Sequence, residues 1–313
     1  MLQIIQKRKY AYWFSGILTI ASVAILILWG LRLGIDFKGG TLMELRFTKD
    51  PAPQVMEITG ALTSVELRSL TIQPTEKNGV LIRYFASDAS ANDIVLTKIK
   101  ELDPDVVQLR TDFIGASVSD QIKRNAFTGI FLSVFAIAAY IAWAFRRVSR
   151  PISSWEYGIG AVIALSHDIL VVIGFFVLLG RFYDIEVGVP FVAALLTILG
   201  YSVNDTIVVY DRIRENLQRS ATSKDDFEIT VNRSINETLG RSINTSLTVV
   251  IVLVAVTFFG GESIRWFGAA LLMGVVFGTY SSVYIASALI VTRYKMKVSE
   301  RRTESNEQGK GGR

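Results

Sequence analysis

The stretch VPFVAALLTILGYSVNDTIVVY, Val189–Tyr210, decides the fold. It is apolar enough, and at about 20 residues long enough, to cross the hydrocarbon core of a bilayer as a helix. Yet it carries Asn204 and Asp205 inside that run. A charged side chain at such a depth is costly and marks a functional site by default. Thr197, Tyr201, Asn204 and Asp205 recur at i, i+4, i+7 and i+8, which places them on one helical face. The stretch therefore reads as a membrane span with a polar stripe.

Five more runs of the same kind flank it, near Ala11–Leu31, Ala126–Phe145, Tyr157–Gly180, Ile243–Gly260 and Trp266–Val291. The 313 residues are 50% hydrophobic and 19% charged, a balance that excludes a disordered, collagen-like or ordinary soluble chain. There are 0 Cys and 1 His, which removes disulfides, zinc-thiolate centres, a cysteine nucleophile and a His-rich metal site. No cofactor is expected. The first run follows Lys7, Arg8 and Lys9, as a signal peptide would. It is longer than an export signal's apolar core, and Leu28-Trp29-Gly30-Leu31-Arg32 offers no small-x-small cleavage site, so it reads as the first span.

Charge sets the expected orientation. Residues 32–125 hold 12 Lys/Arg against 13 Asp/Glu. Elsewhere the cations gather at the N-terminus, at Arg146, Arg147 and Arg150, over Arg212–Arg241 and from Arg293 onward. The opposite short loops carry Arg181 and Arg265. The positive-inside rule then places both termini in the cytoplasm and exports the long first loop. The pI near 9.3 reports topology, not nucleic-acid binding. The expected domains are residues 1–31 (N-terminus and first span), 32–125 (exported domain), 126–292 (spans two to six with an amphipathic cytoplasmic segment) and 293–313 (a disordered tail).

The exported loop alternates as strand Thr41–Phe47, helix Pro53–Thr63, strand Glu66–Gln73, strand Val80–Phe85, helix Ser90–Leu102 and strand Val106–Phe113. Ile94, Ile99 and Leu102 form the apolar face of the second helix. A βαββαβ order is that of a ferredoxin-like α+β domain. Ahead of it, Gly34-Ile35-Asp36-Phe37-Lys38-Gly39-Gly40 matches no phosphate loop and reads as a tight turn into the sheet. The fold class is thus a membrane all-α bundle of six helices bearing an exported α+β unit.

A second polar stripe, Arg241, Asn244, Thr245 and Thr248, leads into the fifth span. Burial raises a carboxyl pKa, and an arginine, always charged, lowers it. An Arg241 that approached and withdrew would make Asp205 release and bind a proton. The alternatives at this level are a hydrogen-bonded packing role for Asp205 and an interfacial position for Arg241. His167 with Asp168, in the third span, reads either as a proton relay or as a packing pair. Thr279, Ser282 and Ser287 of the sixth span read as packing groups, beside Gly274 and Gly278 in a GxxxG spacing. Between spans four and five, Ser223 with Asp226 resembles a capping box. Phe227, Val231, Ile235 and Leu239 then form an amphipathic helix at the membrane surface or against a partner, which Gly240 can end.

Three motifs carry a family resemblance. Gly34–Gly40 resembles a G-x-D-F-x-G-G element after a first span. Gly200-Tyr201-Ser202-Val203-Asn204-Asp205-Thr206 with Asp211-Arg212-Ile213-Arg214-Glu215-Asn216 resembles a fourth-span signature, and Leu239-Gly240-Arg241-Ser242 a fifth. Together they are similar to the SecD/SecF family of bacterial protein-export membrane proteins, in the resistance-nodulation-division superfamily. The resemblance covers nearly the whole chain except the tail. It implies a multi-pass subunit of the bacterial inner membrane with a periplasmic ferredoxin-like domain. The subunit would work with SecD and the SecYEG channel in the lipid bilayer, coupling proton flow to late translocation of preproteins, with no enzyme activity. It maps a proton-linked aspartate onto Asp205, an arginine onto Arg241 and a His-Asp pair onto His167 and Asp168; Asn204 borders the aspartate. The second half of the family's pseudo-symmetric unit is missing here, so a partner has to complete the path. Two other functions compete: a scaffold that conducts no protons, and an intramembrane aspartyl protease using Asp168 and Asp205, for which the G-x-G-D pattern is missing.

Overall fold

The computed structural model describes residues 1–65, 67–75, 78–85, 90–146, 152–219 and 226–310. The chain divides into two units, Leu33–Phe127 and the remainder, Met1–Arg32 with Thr128–Arg313.

The smaller unit opens with a one-turn helix α2 (Ile35–Lys38), set between Gly34 and Gly39, where the sequence predicts only a turn. Then follow β1 (Gly40–Arg46), α3 (Val55–Leu62), β2 (Arg68–Thr75), β3 (Gly79–Phe85), α4 (Ser90–Leu102) and β4 (Val107–Ile114). The sheet order is β2-β3-β1-β4 with every neighbouring pair antiparallel. That is the expected split βαβ arrangement. Period-2 alternation turns Met43 and Leu45 of β1 and Val80, Ile82 and Tyr84 of β3 to one face, where Ile58 and Leu62 of α3 and Val95 and Ile99 of α4 cover them. Ile94, expected in that face, is exposed, because α4 turns Val95 inward instead. Glu66, the predicted first residue of the second strand, lies outside the described residues.

Two features pin this unit. Gly40 has φ +116, and a Cβ there would lie 2.6 Å from the Tyr84 carbonyl oxygen, so only glycine fits as β1 enters the sheet beside β3. Asp103, just past α4, is buried and accepts from the Thr48 amide at 2.7 Å, the Lys49 amide at 3.2 Å and the Thr48 hydroxyl at 3.0 Å. Burial alone would raise this carboxyl, but these donors outweigh it and hold it below the usual carboxylate range. The Tyr84 hydroxyl, by contrast, is pushed up to about 12 by burial, while it donates to Asn92 at 2.7 Å.

The larger unit contains α1 (Arg8–Trp29), α5 (Ala116–Ala144, entering this unit at Thr128), α6 (Ser154–Tyr183), α7 (Val189–Arg219), α8 (Phe227–Phe259) and α9 (Glu262–Ser281). A π-helical turn, Ser282–Ala286, joins α9 to α10 (Ser287–Lys310). Among the described residues six helices are long and apolar enough to cross a membrane, with α9, the π turn and the start of α10 forming the sixth. In lipid every backbone polar group must be satisfied within the helix, so apolar runs of this length have no other stable form.

Two sequence expectations are corrected here. Gly240 does not end a surface helix: α8 runs through it as one 33-residue helix. A single glycine costs only about 1 kcal/mol, and the residues on both sides continue the helix. Asp226 caps its start, accepting from the Glu228 amide, while Ser223 lies outside the described residues. Nor is the chain disordered from Arg293, since α10 continues to Lys310. Its first turns are anchored by Arg293 and Lys297, 3.0 and 2.7 Å from Glu156 at the start of α6, and by Lys295 on Glu228. Arg147 and Arg150, part of the expected basic loop, also lie outside the described residues.

The bundle closes tightly between α7 and α9. Cβ atoms built at Gly274 and Gly278 would lie 2.3 Å from Ile198 and 3.0 Å from Ser202, so the GxxxG spacing lets the two backbones meet. The N-terminus is clasped to α8. Asn232 Oδ1 accepts from the Ile4 and Ile5 amides at 2.9 and 3.1 Å, and the side-chain amides of Asn232 and Asn236 both donate to the Leu2 carbonyl.

Candidate functional site

The polar stripe of α7 divides on folding. Asp205 turns into the bundle and is 8% exposed, Tyr201 is half-buried, and Thr197 and Asn204 remain exposed on this chain. The packing of α7 against α9 fixes that rotation, because Ile198 and Ser202 must face Gly274 and Gly278.

Asp205 is held by hydroxyls from two other elements. Ser242 of α8 donates to Oδ1 at 2.5 Å, and Ser282 of the π turn donates to Oδ2. Beside it lies a cavity of about 40 Å³ lined by Tyr201, Asn204, Asp205, Val208, Arg241, Thr245 and Ser246. One water needs about 10–15 Å³ of such space, so more than one fits. Arg241 lines the same cavity but makes no ion pair within 4.0 Å among the described residues. Asp205 and Arg241, paired in the sequence reading, thus share a water-sized pocket without forming an ion pair.

A second carboxylate lies deeper. Asp168 of α6 is 0% exposed and accepts from Ser202 of α7 at 2.6 Å and Ser281 of α9 at 2.7 Å. His167 Nδ1 lies 3.0 Å from its other oxygen, a spacing at which an Nδ1–H donates. His167 Nε2 is buried with no partner among the described residues, and the ring centroids of Phe277 and Tyr280 lie 6.4 and 6.2 Å from that of His167. No hydrogen bond joins Asp168 to Asp205 among the described residues, since separate serines take up each carboxylate. Asn204 lines the cavity and makes no contact with Asp168.

The serines are what sequence reasoning missed. Ser202 and Ser242 stand inside the quoted motifs beside more conspicuous residues, Ser282 reads from the sequence as a packing group, and Ser281 has no part in that reading. The available signal was the Ser281-Ser282 pair itself, two adjacent hydroxyls in an apolar span opposite carboxylates on other helices. A carboxylate at lipid depth is tolerable only where donors surround it, and most of the donors to these two are serine hydroxyls.

Helices arranged around buried, serine-bound carboxylates, with a separate βαββαβ unit between the first two spans, define a class of multi-pass membrane transport proteins. The description "Protein export membrane protein SecD/SecF, C-terminal" matches residues 94–296, and the SecD/SecF GG motif matches residues 30–51. The chain belongs to the SecD/SecF family. It is 40% identical to the protein translocase subunit SecF of Thermobaculum terrenum, over 93% of this chain and 94% of the relative. It is 38% identical to the subunit of the same name from Rhodothermus marinus, over 95% of each chain. Among solved structures it resembles SecDF of Thermus thermophilus, a translocon-associated membrane protein, with a TM-score of 0.79 and 31% identity over 93% of this chain. SecDF in its super-membrane-facing form gives 0.68 and 29%. This chain spans 38% and 40% of those two chains' length.

Proposed function

We propose that the chain is one half of a proton-coupled protein-export motor in the bacterial cytoplasmic membrane. Its SecD partner would supply the other half, and the pair would act on preproteins leaving the SecYEG channel late in translocation. The observation that carries this reading is the Asp205 carboxylate, buried at membrane depth yet bordering a cavity that admits water and that Arg241 also lines.

Asp205 is the proton-binding group. Hydroxyls of Ser242 and Ser282 stabilise its ionised form, and an approaching Arg241 would stabilise it further. Each proton descending the membrane potential supplies about 2.3 kcal/mol per 100 mV. Asn204, exposed beside Asp205, lines the water path. Exposed Asn204, Arg241, Asn244 and Thr245 cannot face lipid without penalty, which supports a partner helix or water covering this side. Charge asymmetry supports cytoplasmic termini and an exported βαββαβ unit. His167 and Asp168 form a second, deeper polar cluster.

The separate serine pairs of Asp168 and Asp205 speak against a protease, which needs two carboxyls sharing one site. The test is Asp205→Asn in vesicles holding this chain, its partner and the channel, with preprotein export measured with and without a proton gradient. The gradient-dependent part of export should disappear while gradient-independent export persists. Intact gradient-dependent export would leave the scaffold reading instead.

A further inference from the structure

The π-helical turn Ser282–Ala286 begins at the residue that binds Asp205. Its wider winding shows at Ser287, whose hydroxyl donates to the Ser282 carbonyl at 2.8 Å. Single π turns within α-helices concentrate at functional sites. Here α7 grips both ends of the turn. At one end Ser282 binds Asp205, and at the other the Tyr210 hydroxyl donates to the Ala286 carbonyl at 3.3 Å. Gly160 of α6 leaves room for that second grip, since a Cβ there would lie 2.7 Å from the Tyr210 hydroxyl.

Ser281 and Ser282 are consecutive, so their hydroxyls diverge by about 100° around the helix axis. One meets Asp168 of α6 and the next meets Asp205 of α7. Each hydroxyl also has a second acceptor within reach. Ser281 lies 2.7 Å from Asp168 Oδ2 and 3.1 Å from the Gly278 carbonyl. Ser282 binds Asp205 Oδ2 and lies 3.0 Å from the Thr279 carbonyl. An ionised carboxylate only accepts hydrogen bonds, whereas a protonated one donates from one oxygen. When Asp205 takes a proton from water in the cavity, one facing hydroxyl must release it. Ser282 can turn its hydrogen to Thr279 without losing a bond.

We propose that Ser281 and Ser282 are paired positioning residues, through which the charge on Asp205 sets the seating of the π turn and, one residue back, the hold on Asp168. Helices α6, α7 and α9 then answer together to a single proton. The inference rests on Asp205 being the proton-binding group. The titratable and charged groups that line its cavity are Tyr201 on its own helix and Arg241 on α8, and the elements packed against α7 carry His167 and Asp168 on α6, Tyr280 at the end of α9 and Tyr284 in the π turn. The only covalent change is an O–H bond formed at Asp205 and broken again on release to water.

The test is a pH titration by infrared difference spectroscopy of the full chain with its partner in lipid vesicles. The Asp205 carboxyl band is identified by its loss in Asp205→Asn. Ser282→Ala, which removes a donor to the ionised form, should raise the midpoint by about one pH unit. Ser281→Ala, which touches Asp168 and not Asp205, should raise it by about half a unit or more, because the π turn loses its anchor on α6. Ser202→Ala takes a donor from the same Asp168 but from α7, and should move the midpoint by less than about 0.2 units. Should Ser281→Ala fail to assemble, the near-isosteric Ser281→Cys, a weak donor, carries the same test. If Asp205→Asn leaves the titrating band in place, Asp205 is not the proton group and the underlying reading falls. If the band vanishes in Asp205→Asn but Ser281→Ala titrates as the native chain does, the coupling falls and Asp205 stands. An equal shift in Ser202→Ala also overturns the assignment to the serine pair.

Discussion

Replacing Gly274 by alanine tests whether the α7–α9 contact sets the geometry of both carboxylates. The new methyl would lie 2.3 Å from Ile198, which is fully buried. Carbon atoms settle at about 3.5–4.0 Å, so the helices must part by about 1.2 Å or Ile198 must leave its rotamer. A parting of that size carries the 2.6–2.7 Å bonds from Ser202 and Ser281 toward about 3.9 Å if the gap reaches Asp168, beyond hydrogen-bonding range. Overpacking of this kind costs about 1–3 kcal/mol. Ile198→Ala removes the γ and δ carbons that the methyl would meet and should itself cost about 2–5 kcal/mol. In the Gly274→Ala/Ile198→Ala double variant the two losses should partly cancel, with a coupling of about 1 kcal/mol. Thermal unfolding of the purified complex, run as a double-mutant cycle, measures this. Additive losses, or a Gly274→Ala variant as stable as the native chain, would refute the close-approach account.

Three other perturbations have signed outcomes. Asp103 is held below the usual carboxylate range, so its contribution is present above about pH 3.9 and is lost as pH falls through the lower folded value; Asp103→Asn should flatten that acid limb, read by amide exchange at Thr48 and Lys49. Tyr84, raised to about 12, favours the folded state fully below about pH 10 and loses that effect between there and its folded value. Ultraviolet phenolate absorbance should show its late titration, absent in Tyr84→Phe. Asn232→Ala leaves the Ile4 and Ile5 amides without their acceptor, at about 1–3 kcal/mol, and should speed hydrogen exchange over residues 2–5 well before the bundle melts.

Much of the architecture was legible because its signals are periodic. Six apolar runs mark six membrane-length helices, and alternation marks β1 and β3 as strands of a βαββαβ succession. Ends were less legible. Nothing in the local sequence distinguishes a helix that stops at Gly240 from one that continues, since the answer depends on tertiary support: Asn216 of α7 reaches Ser234 at 3.0 Å and Glu237 at 2.8 Å before the glycine, and Asp205 accepts from Ser242 at 2.5 Å after it. Likewise α10 is extended by its anchors on Glu156 rather than by an apolar face. Asp205 and Asp168 stood out as charges in apolar runs, and Arg241 as a cation beside one. Their donors did not, because a serine in a membrane span is common and gains meaning only once another helix brings a carboxylate to it. Ile94 shows the same limit on a smaller scale, where one residue's error in helix phase exchanged it with Val95.

The unbroken α8 has a mechanical consequence. At 33 residues it measures about 50 Å, while a bilayer's hydrocarbon layer is about 30 Å thick, so some 20 Å of rod overhangs the lipid. The overhang is grasped by the chain's own N-terminus through Asn232 and Asn236, and by Arg212 through Glu237. A stiff shaft passes displacement along its length with little loss. Any tug on the protruding end is therefore delivered to Ser242 and Arg241, with Gly240 as the single compliant link on the way.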